Sequence, residues 1–375
     1  MTPALRKSFL WLHTWTGLVV GLVLVLVSVT GAVLVFRPSL ESKLDPVRFT
    51  VVPGPARRPL DELVARARTA HPANELESVR LFGDPSASVW VYFSNKDYVH
   101  VNPYTGDVLG TRPRYGVGFG WIEGLHKYLL LESNTGETVN GTLALVFSGI
   151  VLTGIVLWWP ATRRALKAGL TLNRKLSGRP WQLNLHKTFG IYAALVVLVS
   201  ALTGLPIALD WVKAGLYPLT LSKKIEPPKA SPAAPTAAAF AGFDAMARRI
   251  ESLLPGARET YIPLPKKGVV ASYAIAGDGP HPMARSYAWL NGADGTVLRF
   301  TPFEANVAGF RLYYWMMALH TGLLGGWAVR IIFLLGALSV PVLVYTGTVS
   351  YLRRKSRKTS ATPAPMPASS TAAAR

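Results

Sequence analysis

The chain has no cysteine among its 375 residues. That absence excludes disulfides, iron–sulfur clusters, zinc–thiolate sites and thioether-attached haem together, so any metal chemistry must use histidine or oxygen ligands. Acids are scarce, with 20 Asp and Glu against 40 Lys and Arg. None falls in the long apolar stretches, which leaves a proton relay through them without a carboxylate. No GxGxxG follows a strand, and the segments read below as cytoplasmic are too short for a nucleotide-binding domain. No small-x-small cleavage site follows the first apolar stretch, which is also longer than a signal-peptide core, so it reads as a signal anchor.

Half of the residues are hydrophobic. About 20 apolar residues cross a bilayer as a helix. Four stretches meet that length: 9–36, 139–160, 183–209 and 328–352. The first holds no charge between Ser8 and Phe36. Residues 1–8, the loop 161–182 and the tail 353–375 together carry 14 basic side chains and no acid; the remaining 26 basic groups accompany all 20 acids. Nucleic-acid binding does not place charge this way. The positive-inside rule does, and it predicts a cytoplasmic tail at 1–8, a cytoplasmic loop at 161–182 and a disordered cytoplasmic tail at 353–375. Both termini are then inside, and two long polar segments, 37–124 and 210–312, lie outside, in a bacterium the periplasm.

Each outer segment reads as helix, strand, strand, hairpin. Residues 59–70 carry Leu60, Leu63, Val64 and Ala67 on one helical stripe, and 243–254 form the matching helix. VRLFG, VWVYFS and DYVHVNPYTGDVLG alternate in the first; ETYIPL, VVASYAIAG and SYAWLNGADGTVLRF alternate in the second. Residues 225–242 form a Pro/Ala linker.

The apolar stretches repeat too. LHTWTGLVVGLVLVLVSVTG at 12–31 matches LHKTFGIYAALVVLVSALTG at 185–204, with His13 to Gly31 and His186 to Gly204 both eighteen positions apart. LHKYLLL at Leu125 and LHTGLLGG at Leu319 open His-bearing interfacial segments, 125–138 and 313–327, each followed by a span. The expected fold is an α-helical membrane bundle of four transmembrane helices with two α+β periplasmic domains, built by internal duplication.

The LH-x3-G…TG helices, the Trp158-Trp159-Pro160 exit and the V-x-P-x-T-G-x-V-L run at 101–109 resemble the PepSY-associated transmembrane family, over about 9–353. The second hairpin departs from the pattern, with Gly292-Ala293-Asp294-Gly295 in place of Asn-Pro-x-Thr-Gly. The resemblance implies PepSY-like outer domains and a link to iron uptake. It also implies inner-membrane reduction of ferric siderophores with b-type haem.

Four of the seven histidines lie in or beside the spans. His13 and His186 follow basic residues and belong near the inner face; His126 and His320 precede their spans on the outer side. Lipid offers an imidazole no partner, so histidines at matched depths must face each other inside the bundle. Haem iron with two imidazole ligands fits each pair: His13 with His186 for an inner haem, His126 with His320 for an outer one. Copper or zinc on four histidines conflicts with pairs at opposite faces of a core about 30 Å thick. Arg6 and Lys7 are candidate propionate partners inside, and Lys127, Arg311 and Arg330 outside; the competing reading is interfacial snorkelling. Gly17, Gly21 and Gly190 suit either a flat ring or close helix packing. Trp11, Trp15, Trp158 and Trp159 read as an interface belt.

The expectation is a di-haem b-type cytochrome, an oxidoreductase passing electrons from quinol or a separate reductase to a periplasmic ferric chelate. Its substrate site is expected in a cleft between the outer domains, rimmed by Trp121, Tyr314 and Trp315. The rivals are a PepSY protein that binds a peptide or partner without redox activity, and a siderophore importer.

Overall fold

A computed structural model describes residues 1–228 and 240–359. The first helix, α1 (Pro3–Leu34), is followed by short helices α2 (Arg37–Leu44) and α3 (Pro46–Phe49). Then come α4 (Leu60–Ala70) and strands β1 (Leu76–Phe82), β2 (Val89–Phe93), β3 (Asp97–Val101) and β4 (Val108–Pro113). Helices α5 (Gly118–Tyr128), α6 (Ser133–Trp158), α7 (Arg163–Leu170), α8 (Gly178–Ala208) and α9 (Asp210–Leu219) follow. The series then repeats as α10 (Phe243–Leu253), β5 (Glu259–Pro263), β6 (Val269–Ile275), β7 (Arg285–Asn291), β8 (Val297–Thr301), α11 (Ala308–His320) and α12 (Gly326–Thr359).

Among the described residues four helices are long and apolar enough to cross a membrane: α1, α6, α8 and α12 up to Arg354. The protein is a multi-pass membrane protein with a separate antiparallel sheet. The helices extend beyond the apolar stretches. α1 begins at Pro3 rather than 9, and α6 at Ser133 rather than 139. Hydropathy marks where apolar side chains begin, whereas backbone hydrogen bonds continue through polar flanks. α12 likewise runs to Thr359, so the first seven residues of the expected tail 353–375 are helical. The rest of that tail, and residues 229–239 of the Pro/Ala linker, lie outside the described residues.

Two compact units divide the chain. The first comprises Met1–Val25, Gly149–Leu195 and the chain from Leu338; the second comprises Leu26–Ser148 and Val196–Ala337. In the first unit the basic loop is ordered. Thr162 caps α7 by accepting from Ala165 N at 3.1 Å. Asn184 accepts from Asn173 N at 2.8 Å and donates to Thr171 O at 3.0 Å.

The second unit holds one eight-stranded antiparallel sheet, in the order β4-β3-β2-β1-β5-β6-β7-β8. The strands of the two polar segments therefore do not flank a cleft. β1 pairs directly with β5, from Ser78 opposite Pro263 to Phe82 opposite Glu259. An unpaired edge exposes a row of N–H and C=O groups, and joining two meanders edge to edge satisfies both rows. Helices α4 and α10 cover one face. Their Leu63, Ala67, Met246 and Ile250 pack with Val79, Val91, Phe93, Val99, Ile262, Val270 and Leu290 in one buried core.

Both hairpins close alike. Asn102 N donates to Asp107 O at 2.9 Å and Asn291 N to Thr296 O at 2.8 Å, while Gly106 and Gly295 take φ of 81° and 73°. Asn102 Oδ1 accepts from Tyr104 N and Asn291 Oδ1 from Ala293 N. The second turn keeps the Asn and the left-handed Gly that the geometry demands, and loses only the Pro and Thr.

Candidate functional site

The four histidines sit in four copies of one seat, each built by a Thr-Gly pair on another helix. In the first unit, His13 of α1 donates from Nδ1 to Ile150 O at 3.0 Å, with Thr153 Oγ1 at 3.1 Å. His186 of α8 does the same to Leu343 O at 3.0 Å, with Thr346 Oγ1 at 3.1 Å. In the second unit, His126 of α5 donates to Val27 O at 2.9 Å beside Thr30, and His320 of α11 to Ser200 O at 2.9 Å beside Thr203. Each Thr hydroxyl also donates to a carbonyl of its own helix, as Thr153 does to Ile150 O at 2.9 Å.

The glycine after each Thr leaves room for the ring. A Cβ at Gly31 or Gly204 would lie 2.9 Å from Cε1 of His126 or His320. The corresponding separations are 3.1 Å for Gly154 against His13 and 3.3 Å for Gly347 against His186.

These seats decide the tautomer. A carbonyl only accepts, so Nδ1 carries the proton and a neutral ring keeps its lone pair on Nε2. No hydrogen bond among the described residues engages any of the four Nε2 atoms. The ring centroids of His13 and His186 are 6.0 Å apart, at 84°. Those of His126 and His320 are 6.2 Å apart, at 41°. Two imidazoles on opposite sides of one metal, with metal–nitrogen bonds of about 2.0–2.1 Å, have centroids about 6.3 Å apart. Among the described residues no third His, Cys, Asp or Glu joins either pair. A metal held here needs its other ligands from a group such as a porphyrin.

The candidate basic partners divide. Arg6 and Lys7 are exposed. Lys127 donates to Tyr128 OH at 3.0 Å. Arg330 donates to Ser39 Oγ at 2.6 Å, and its Nε is buried without a partner. Arg311 is exposed. Gly21 and Gly190 face Val344 and Leu343 of α12, whereas Gly17, one turn on from His13, faces open space.

A family model described as the PepSY-associated TM region matches residues 10–354. The chain belongs to the PepSY-associated transmembrane family. The match spans all four histidines and all four Thr-Gly seats of this PepSY-associated protein. No curated protein matches it in sequence.

The role of the Thr-Gly pairs is absent from the sequence reading, although their constant spacing from the histidines is the signal that marks them. The three other histidines of this PepSY-associated protein serve the second unit. His71 pairs with Thr111 Oγ1 at 3.1 Å, and His281 packs on Trp315. His100 is fully buried, with Nε2 accepting from Arg112 Nε at 3.1 Å and Nδ1 donating to Ser88 Oγ at 3.2 Å. Burial, with the Arg112 and Arg48 charges beside it, pushes the His100 imidazole down to about 3. Of the expected rim residues, Trp121 and Trp315 are exposed, but Tyr314 is buried with its hydroxyl 3.2 Å from Tyr287 OH.

Proposed function

We propose that each histidine pair would hold one b-type haem, and that this PepSY-associated protein is an inner-membrane ferric-chelate reductase. The observation that carries the proposal is the fourfold seat. Four imidazoles are fixed through Nδ1, and the ring centroids of each pair lie 6.0 and 6.2 Å apart, a spacing that fits one metal between them. Two imidazoles with no further ligand among the described residues suit an iron whose remaining ligands a porphyrin would supply.

The bound haems would supply one-electron carriers on the two sides of the membrane. The protein's own part is orientation and tuning. Each carbonyl–Nδ1 hydrogen bond fixes ring rotation and raises the basicity of Nε2, which would stabilise the ferric form of an iron held there. Each chelated Fe(III) takes one electron and leaves as Fe(II). A quinol donor gives up two electrons and two protons, enough for two ferric ions; a separate reductase is the other donor class. The basic flanks support a topology with both termini and the 161–182 loop in the cytoplasm and the sheet in the periplasm. The matching order of elements in the two halves, with matched seats and hairpins, supports an internal duplication with two PepSY-like domains.

The test is the visible spectrum of purified protein from haem-replete cells before and after dithionite, with a pyridine haemochrome count. Two haems per chain are expected. Colourless protein would overturn the proposal in favour of a partner-binding PepSY protein without redox activity.

A further inference from the structure

The face of the sheet turned away from α4 and α10 carries one cross-strand row. His100, Trp90, Arg80, Tyr261, Tyr273 and Tyr287 lie opposite one another in register on six successive strands. From Arg80 to Tyr287 the row crosses three strand intervals, about 14 Å. Tyr261 and Tyr273 stack with centroids 5.0 Å apart and 16° between planes. Part of the row is reachable: Trp90, Tyr261 and Tyr287 are half-buried and the Arg80 side chain keeps 28% of its surface, whereas His100 and Tyr273 are buried.

Three guanidinium groups lie on this aromatic floor; Arg112, over Trp90 at 5.3 Å, donates to His100 and lies 3.9 Å from Glu41, which leaves Arg80 and Arg285. Arg80 sits over Trp90 and Tyr261, at 5.8 and 5.9 Å from the ring centres. Arg285 sits over Tyr273 at 4.0 Å and Tyr314 at 5.4 Å. Among the described residues the Nε of each is buried without a partner. Their neighbourhood holds one close carboxylate. Glu259 accepts from Tyr273 OH at 2.9 Å and reaches Arg80 only at 3.5 Å; Arg285 forms no ion pair among the described residues. Lys213 of α9 adds a further cation, 4.4 Å from the centre of the Tyr313 ring. Burial lowers the Lys213 pKa; the Asp210 carboxylate opposes this, and the Lys224 and Arg285 charges add to it. Packed guanidinium groups short of carboxylates are costly in the free protein and favour a ligand that brings negative charge. Aromatic faces beside them favour a ligand with flat rings, which guanidinium and tyrosine both stack upon.

We infer that this Arg80–Arg285 aromatic floor is the chelate-binding surface, and that it selects a ferric chelate of net negative charge with aromatic oxygen donors, the catecholate class. The inference rests on the reductase reading for the iron, and on the floor alone for charge and ring character. It disfavours cationic and neutral hydroxamate chelates, which would set positive or uncompensated groups against Arg80 and Arg285.

The experiment measures binding of redox-inert gallium(III) chelates to the full-length protein in zwitterionic detergent, read by quenching of tryptophan fluorescence. A gallium tris-catecholate should bind at least tenfold more tightly than a cationic gallium trihydroxamate. Its affinity should fall as ionic strength rises. R80Q and R285Q should each weaken it about tenfold, while R80K and R285K, which keep charge but lose the flat guanidinium, should fall between. Haem content and melting temperature, measured on the same samples, should not change. Equal affinity for both chelates, or catecholate affinity untouched by all four variants and by salt, overturns the inference. Displacement by phosphatidylglycerol with the same arginine dependence assigns the floor to a lipid headgroup and also overturns it. Haem-free protein that still selects the catecholate chelate sinks the reductase reading and leaves the floor's selectivity standing; di-haem protein that binds both chelates alike sinks only the inference.

Discussion

Asp61 and Asp244 cap each other's helices. The Asp244 carboxylate accepts from Leu60 N and Asp61 N at 2.8 and 3.0 Å, and the Asp61 carboxylate accepts from Phe243 N and Asp244 N at 2.7 and 3.2 Å. Each acid thus satisfies N–H groups that the first turn of the other helix leaves free. Burial opposes the Asp244 charge, but the Asp61 and Leu60 N–H bonds outweigh it and lower its pKa. D61A should uncap α10, D244A should uncap α4, and each should lose about 0.5–2 kcal/mol. The Asp244 contribution is present above the ordinary carboxylate range and is lost as pH falls through the lowered folded value. Scanning calorimetry of both variants against pH tests this; unchanged melting in both would contradict the reciprocal cap.

The seats predict an order of damage among glycine variants. G31A and G204A place a methyl 2.9 Å from a histidine carbon, G154A at 3.1 Å and G347A at 3.3 Å. Under the di-haem proposal, G31A and G204A should each lose most of one haem, G154A less, and G347A least. A haemochrome count on the four proteins checks the order, and a reversed ranking would count against the seats.

Ligands of one iron act as a unit. H13A and H186A should each lose one haem per chain, and the double variant no more than either alone. H126A and H320A should behave likewise, and independently of the first pair. Additive losses across His13 and His186 would contradict shared ligation.

His100 gives the sheet a pH signature. Its folded pKa of about 3 lies below the ordinary histidine value of 6.5, so the unfolded chain takes up a proton first as pH falls. The stability it lends is complete above 6.5 and drains away between 6.5 and about 3, at no more than about 1.4 kcal/mol per pH unit. H100Q, which keeps an acceptor for Arg112, should flatten the melting profile in that window. A slope equal to that of the wild type would assign the pH dependence to other groups.

The proposed topology rests on the basic flanks. Reporter fusions after residues 60, 170, 240 and 358 should read out, in, out, in. A cytoplasmic signal at 240 would break the proposed orientation.

The four apolar spans, the two helix-and-meander segments and the recurring Leu-His and Thr-Gly positions were legible in the sequence, because period, turn residues and apolar length are local properties. Their correspondence made four histidines stand out from seven. What tertiary structure alone decided is which surfaces meet. Thr30-Gly31 reads as the end of an apolar stretch until α5 is laid against it and His126 enters the gap. The pairing of β1 with β5 joins residues about 180 positions apart, and backbone hydrogen bonding between edges leaves no pattern in the side chains. Arg80 and Arg285 likewise look like two surface charges in sequence. Only the register of the sheet sets them on one aromatic floor, short of the carboxylates that would neutralise them.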